Sequence, residues 1–212
     1  MADLVVPTPE GDARLVVDEA SGRTRGVLVL GHGAGGGIQA RDLVALARKL
    51  PGSGFTVVRV EQPWRLAGRR VASPPRALDR AWLTALDAVR RDGPLAVGGR
   101  SAGARVACRT ARAVGAAAVV ALAFPLHPPG RPERSRWSEL AEAGVPTLVV
   151  QGDRDTFGRP AEFPPGEHEL VVVPHADHGM AVPKSQDQAA ALERVVTTVT
   201  GWLGNVLARS RR

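Results

Sequence analysis

The chain has 212 residues, 44% of them apolar, with a formal net charge of +7. That length suits a single domain, and the apolar share is enough to build a real core. The positive balance fits an anionic partner, but no recognised nucleic-acid-binding module accompanies it, so a nucleic acid is not expected.

In chain order, short β-branched runs alternate with longer segments rich in alanine and leucine. Residues 13–20 read as an early strand. "GVLVLGH" (26–32) is a buried strand, four consecutive apolar residues followed by a glycine-rich break. Residues 39–50 carry Leu43, Leu46, Ala47 and Leu50 at helical spacing. "FTVVRVE" (55–61) is the next strand, and 61–75 reads as a long loop. Residues 76–91 place Leu78, Trp82, Leu86 and Val89 along one helical face. "PLAVGG" (94–99) is a strand, 102–114 a helix and "AAVVALAF" (117–124) a strand. A short helix fits 136–143. Strands at 145–152 and 168–174 follow, then a long helix at 185–207. This alternation, with continuous apolar strands, predicts one α/β domain with a mostly parallel sheet and helices on both faces.

All but two of the 28 basic residues are arginines, Lys49 and Lys184 being the exceptions. Many are interleaved with acids, as in "GDRDT" and "RPERSRWSE". The segment from about 205 to 212, with Arg209, Arg211 and Arg212, reads as a basic tail. One cysteine, Cys108, leaves no disulfide framework and no cysteine-based zinc site. The start, "MADLVVPTPEG", carries no basic stretch followed by a long apolar one. No window approaches the roughly 18–20 apolar residues of a membrane span. A soluble, cytoplasmic protein without a membrane partner is expected.

In open α/β sheets, sites form at the carboxyl edge of the strands, so the residues after each strand matter most. After the strand at 27–31 comes "HGAGGG", His32 to Gly37. Gly31, Gly33 and Gly36 match the spacing of a dinucleotide-phosphate loop, but only Glu61 could serve as the ribose-binding acid, and no cofactor is expected. After the strand at 95–98 comes G-x-S-x-G, with Gly99, Ser101 and Gly103. A serine on a sharp strand-to-helix turn needs glycine two positions to either side, because larger side chains would meet neighbouring backbone. The new helix aims its amides at the serine, so the Ala102 N–H could bind an oxyanion, with Ala34 N–H as second donor. After the strand at 146–151 come Asp153 and Asp155. After the strand at 169–173 come His175 and His178. The order serine, acid, histidine is that of one serine-hydrolase arrangement, with either acid and either histidine open at this point.

On "GGRSAGARVA", "HGAGG" and "QGDRDTFG", the chain resembles the α/β-hydrolases over nearly its whole length. More narrowly it is similar to the small predicted hydrolases of the testis-expressed and NSL-complex subunit hydrolase-like group, and more distantly to dienelactone-hydrolase-like enzymes. In such families the acid follows G-x-x-D, which falls on Gly152 to Asp155, and the histidine precedes a small residue, which falls on His178-Gly179. The resemblance therefore implies Ser101, Asp155 and His178 as catalytic residues. Members of the narrow group often carry methionine and a second glycine after the serine, where this chain has Ala102 and Ala104.

The roles follow: Ser101 attacks an acyl carbonyl, His178 carries the proton and Asp155 orients the imidazole. The partner is then a small acyl ester or thioester, with neither cofactor nor metal. Trp64, Arg65, Arg105 and Phe124 are candidate substrate contacts, and Trp137 a further wall. Arg100 and Arg105 flank the serine either to hold the turn or to meet an anionic substrate, and a surface or structural ion pair is an equal reading of Arg105. Arg65, Arg69 and Arg70 either favour an acidic substrate or form a solvated basic loop. His32 reads as structural, His127 and His168 as solvent or loop histidines, and Cys108 as a core thiol. Residues 124–138, rich in proline, are too few for a cap domain, so an open site for short acyl groups is expected. Two other readings remain: a non-catalytic interaction protein of the same fold, and an anion-binding protein using its arginines.

Overall fold

A computed structural model describes residues 2–210. Its eight strands are β1 (Ala2–Thr8), β2 (Gly11–Asp18), β3 (Gly26–Gly31), β4 (Phe55–Glu61), β5 (Leu95–Arg100), β6 (Ala118–Leu122), β7 (Thr147–Gly152) and β8 (Glu169–Val173). They form one sheet in the order β1-β2-β4-β3-β5-β6-β7-β8. The β1–β2 and β2–β4 pairs are antiparallel, and every other pair is parallel. Strands β3, β6 and β7 are buried at every position. This is why they read as unbroken apolar runs: central parallel strands are covered on both faces.

The helices are α1 (Arg41–Lys49), α2 (Pro63–Leu66), α3 (Pro75–Asp87), α4 (Ala102–Thr110), α5 (Trp137–Ala141) and α6 (Gln188–Arg209). One face of the sheet packs Trp82 and Leu86 of α3, Val106 of α4 and Leu140 of α5. The other packs Leu43 and Leu46 of α1 against Val195, Val199 and Leu203 of α6. Each fully buried side chain of this size contributes about 1.5–3 kcal/mol of transfer free energy. The α6 N-terminus is capped by Asp187, whose carboxylate accepts from the Ala189 and Ala190 amides at 2.8 and 3.1 Å.

Three local expectations change. Residues 2–8 form an edge strand, β1, that carries Pro7 and exposes Leu4 and Val5. Edge strands tolerate proline and have little apolar alternation to announce them. The 61–75 loop contains α2, started by Pro63 in its first turn. The basic tail expected from about 205 is helical through Arg209, because Leu207 packs into the core. Arg211 and Arg212 lie outside the described residues. No helix among the described residues is long and apolar enough to cross a membrane.

The chain runs from β3 to β4 on one side and later from β5 to β6 on the other, so the sheet order reverses between β3 and β5. The carboxyl ends of these two strands bound a crevice, where open α/β sheets place ligands. The glycine-rich loop leaves β3 there, and Ser101 leaves β5.

Candidate active site

Ser101 sits between β5 and α4 at φ 54° and ψ −111°. A non-glycine residue held there costs on the order of 1–3 kcal/mol, which the surrounding structure must over-determine. Its N–H donates to Leu122 O (3.0 Å) and its carbonyl accepts from Arg105 N–H (3.2 Å). The flanking glycines let β3 approach. A Cβ on Gly99 would lie 2.8 Å from the Gly31 nitrogen, and one on Gly103 would lie 2.9 Å from the Gly31 Cα. The G-x-S-x-G spacing is thus a packing requirement between the turn and β3.

His178 Nε2 lies 2.9 Å from Ser101 Oγ. Its Nδ1 lies 2.8 and 3.0 Å from the two carboxylate oxygens of Asp155. An ionised carboxylate only accepts, so the proton sits on Nδ1 and the Nε2 lone pair faces the serine hydroxyl. Asp155 is fully buried. Its oxygens also accept from Phe157 N–H at 2.8 Å and Gln151 Nε2 at 2.9 Å. The His178 ring stacks on Phe157, centroids 4.1 Å apart. Of the paired candidates, the structure brings Asp155 and His178 to Ser101. Among the described residues, no hydrogen bond joins Asp153 or His175 to Ser101 or His178. Asp153 is half-buried, and His175 is exposed with φ 62°.

Ala34 and Ala102 line one small recess beside the serine, walled by Trp64, Leu78, Trp82 and Val106. The volume open to a water centre is about 10 Å³, room for a single water. The Ala102 N–H opens α4 and so has no carbonyl acceptor within its own helix. His32 is buried at the recess. Its Nδ1 donates to Gly33 O (2.9 Å), and Nε2 accepts the Gln62 N–H (3.1 Å), tying the glycine loop to the end of β4. Burial lowers the His32 pKa, which keeps this neutral tautomer.

Three expected substrate contacts are placed otherwise. Phe124 is fully buried and packs edge-on to Phe163, because the chain turns inward after β6. Arg105 is occupied: it pairs with Glu139 through Nε (2.9 Å) and Nη2 (2.5 Å), bracing α4 against α5. Trp137 stacks edge-on to His168 and lines a separate hollow with Thr147 and Gly166. Trp64 does wall the recess, and Arg65 is exposed beside Gly37 of the glycine loop. His127, expected as a solvent or loop histidine, lies in the loop between β6 and α5 but is only 6% exposed and contacts Glu162 at 2.8 Å. Cys108 is buried, which pushes its thiol up to about 12 and leaves it inert at neutral pH.

Gln151 was not legible as a site residue. Gln151 is fully buried near the end of β7, and its amide reaches Asp155 Oδ2, Gly158 O (2.8 Å) and Phe124 O (3.3 Å). A glutamine inside "TLVVQG" is the signal that could have found it, since a buried polar group must be paired.

A family model described as an alpha/beta hydrolase domain matches residues 24–204. The chain belongs to the alpha/beta hydrolase family. Solved structures of similar fold include an α/β serine hydrolase without a lid from Xanthomonas campestris, at 23% identity and TM-score 0.70, covering 98% of this chain and 94% of that one. A dienelactone hydrolase from Anabaena variabilis is 19% identical at TM-score 0.72, covering 97% of each chain. Est1E from Butyrivibrio proteoclasticus is 14% identical at TM-score 0.69, covering 94% and 98%. In this alpha/beta hydrolase, α5 is the only helix between β6 and β7 among the described residues.

Proposed function

We propose that this alpha/beta hydrolase is a cytoplasmic serine hydrolase that cleaves small or short-chain carboxylic esters or thioesters through an acyl-enzyme on Ser101. The observation that carries this reading is the continuous contact from Ser101 Oγ through His178 to buried Asp155, at 2.9 and 2.8 Å. The narrower likeness to the NSL-complex subunit group rests on the quoted motifs and adds no substrate.

In the reaction, His178 Nε2 takes the Ser101 hydroxyl proton as Oγ bonds to the acyl carbon. The carbonyl oxygen becomes an oxyanion that accepts from the Ala102 and Ala34 amides, a donor of this kind being worth roughly 3–4 kcal/mol in the transition state. As the intermediate collapses, His178 gives that proton to the leaving oxygen or sulfur. A water then repeats the sequence on the acyl-enzyme, with His178 as base, and releases the acid and Ser101. Asp155 orients the imidazole and stabilises the imidazolium formed in each half. The recess walled by Trp64 and Trp82 has room for one water only, so it offers no space to a long acyl chain, which favours short ones.

The test is turnover of p-nitrophenyl esters and matched thioesters graded from two to twelve acyl carbons. The reading predicts activity that is highest at the short end and absent in Ser101→Ala. Equal rates for the wild type and Ser101→Ala would overturn it.

A further inference from the structure

We infer that Arg100, seated on the buried carboxyl group of Asp42, is a positioning residue that holds His178 in register with Ser101. The inference rests on the serine-hydrolase reading of the same site.

Arg100 ends β5, one residue before the serine. Its Nη2 donates to the backbone carbonyl of His178. Its Nε lies 3.4 Å from Asp42 Oδ2, with the Arg100 side chain 15% and the Asp42 side chain 0% exposed. Asp42 stands in the first turn of α1, just beyond the glycine-rich loop, and its Oδ1 accepts the Leu43 N–H at 3.0 Å. One guanidinium therefore ties together three segments: the turn that carries the nucleophile, the loop that carries the base, and the helix that follows the glycine loop.

The other bonds in the histidine loop do different work. Asp177 Oδ1 accepts the Gly179 and Ala181 amides at 2.7 and 2.9 Å, which fixes the loop's internal shape. Gln188 holds the loop's far end through Met180 O and Val182 N–H, at 2.9 and 3.2 Å. Neither connects the loop to β5. The bond from Arg100 to the His178 carbonyl spans that gap and sits on the residue whose Nε2 must meet Ser101.

A buried ion pair is a poor way to gain stability, because an apolar pair of similar volume usually does as well. Its use here is geometric. The guanidinium hydrogen-bonds the His178 carbonyl through Nη2 while its Nε side faces the Asp42 carboxylate as an ion pair, without a hydrogen bond of its own, whereas a lysine ammonium is a point charge on a flexible stem. Burial is the larger influence and raises the Asp42 pKa, and Arg100 pulls it back down. Without Asp42 the guanidinium would lose the partner that fixes its plane.

The experiment measures fluorophosphonate labelling of Ser101 in the full chain, resolved into the maximal rate and the half-saturating concentration. Arg100→Met, Arg100→Lys, Asp42→Asn and the Arg100→Lys/Asp42→Asn double variant are compared, with folding checked by circular dichroism. A misplacement of about 1 Å in a reacting group can cost on the order of 100-fold. Arg100→Met should therefore slow the maximal rate by roughly 10- to 100-fold with the half-saturating concentration unchanged, and Arg100→Lys should recover part of the loss. Asp42→Asn should slow labelling roughly 3- to 10-fold alone and add little to Arg100→Lys, since residues in one network are not additive. If Arg100→Met does not fold, Arg100→Lys and the double variant carry the same comparison. Wild-type rates in both Arg100 variants, or in Arg100→Lys alone if it is the only one folded, overturn the inference. So does an Asp42→Asn loss that is equal in both backgrounds. Failure of the wild type itself to label would instead sink the hydrolase reading.

Discussion

Replacing Asp155 by asparagine keeps the volume and removes the charge, and the surroundings of the carboxylate dictate the outcome. Oδ1 accepts from Phe157 N–H and His178, and Oδ2 accepts from Gln151 Nε2 and His178. An asparagine NH2 at the first position faces the Phe157 donor, and at the second faces the Gln151 donor. Flipping Gln151 does not relieve the conflict, because its oxygen would then oppose the carbonyls of Gly158 and Phe124. One buried donor is left unpaired, which costs about 1–3 kcal/mol of stability. For a chain of this length that lowers Tm by roughly 2–12 °C. The catalytic cost is larger. An NH2 facing Nδ1 puts the imidazole proton on Nε2, which then cannot accept from Ser101. Loss of the correct tautomer in a serine triad costs about 10⁴ in kcat, or roughly 5.5 kcal/mol. The assay is p-nitrophenyl acetate hydrolysis by Asp155→Asn and Asp153→Asn, with thermal melts alongside. Asp153→Asn should stay within about threefold of wild type, as expected for a change outside the hydrogen-bonded unit. Asp155→Asn with more than roughly a tenth of wild-type kcat would refute the reasoning, given the 10⁴ expected.

Gly99→Ala and Gly103→Ala each drive a methyl group to within 3 Å of β3 backbone that cannot yield, so each should lower stability by roughly 1–3 kcal/mol and suppress esterase activity. Wild-type melting curves for both would contradict the packing account of the turn. Val106→Ala deepens the recess at a cost of about 1–2.5 kcal/mol, and the preferred acyl chain should lengthen by one or two carbons on the ester panel. The Pro128 carbonyl and the Glu162 carboxylate raise the His127 pKa above its usual 6.5. Its contribution to stability is then full below 6.5 and is lost as pH rises through the raised value. Glu162, held down by the Arg159 amide and by His127, contributes above 4.5 and loses that contribution as pH falls through its lowered value. Denaturant melts should show His127→Gln less stable than wild type near pH 6, with the gap narrowing on the alkaline side. A gap that widens with pH would reverse the assignment.

The central strands and the order of loops along the sheet edge were legible because burial on both faces leaves continuous apolar runs, and because glycine spacing encodes close approach. The choice between Asp153 and Asp155, or His175 and His178, was not. Loop residues two apart carry no periodicity, and only the depth of Asp155 beneath Gln151 separates them. Resemblance pointed to the same members of each pair that the geometry brings to Ser101. Phe124 was misplaced as a substrate contact, because it follows β6 in sequence but is buried in the core. Of the readings open for Arg105, the structural ion pair is the one seen, with Glu139 of α5. Arg100 was visible beside the serine, yet its role depends on Asp42, which is 58 positions away in the chain. An acid in an apolar helical stripe is the mark it leaves.

The account turns on Ser101 being a nucleophile activated by His178. Treat the folded protein with a fluorophosphonate, digest it and map the adduct by mass spectrometry. The account predicts one modified peptide, with the phosphonyl group on Ser101, and its loss in both Ser101→Ala and His178→Ala. An unmodified Ser101 in folded wild type, or full modification of Ser101 in His178→Ala, would contradict it.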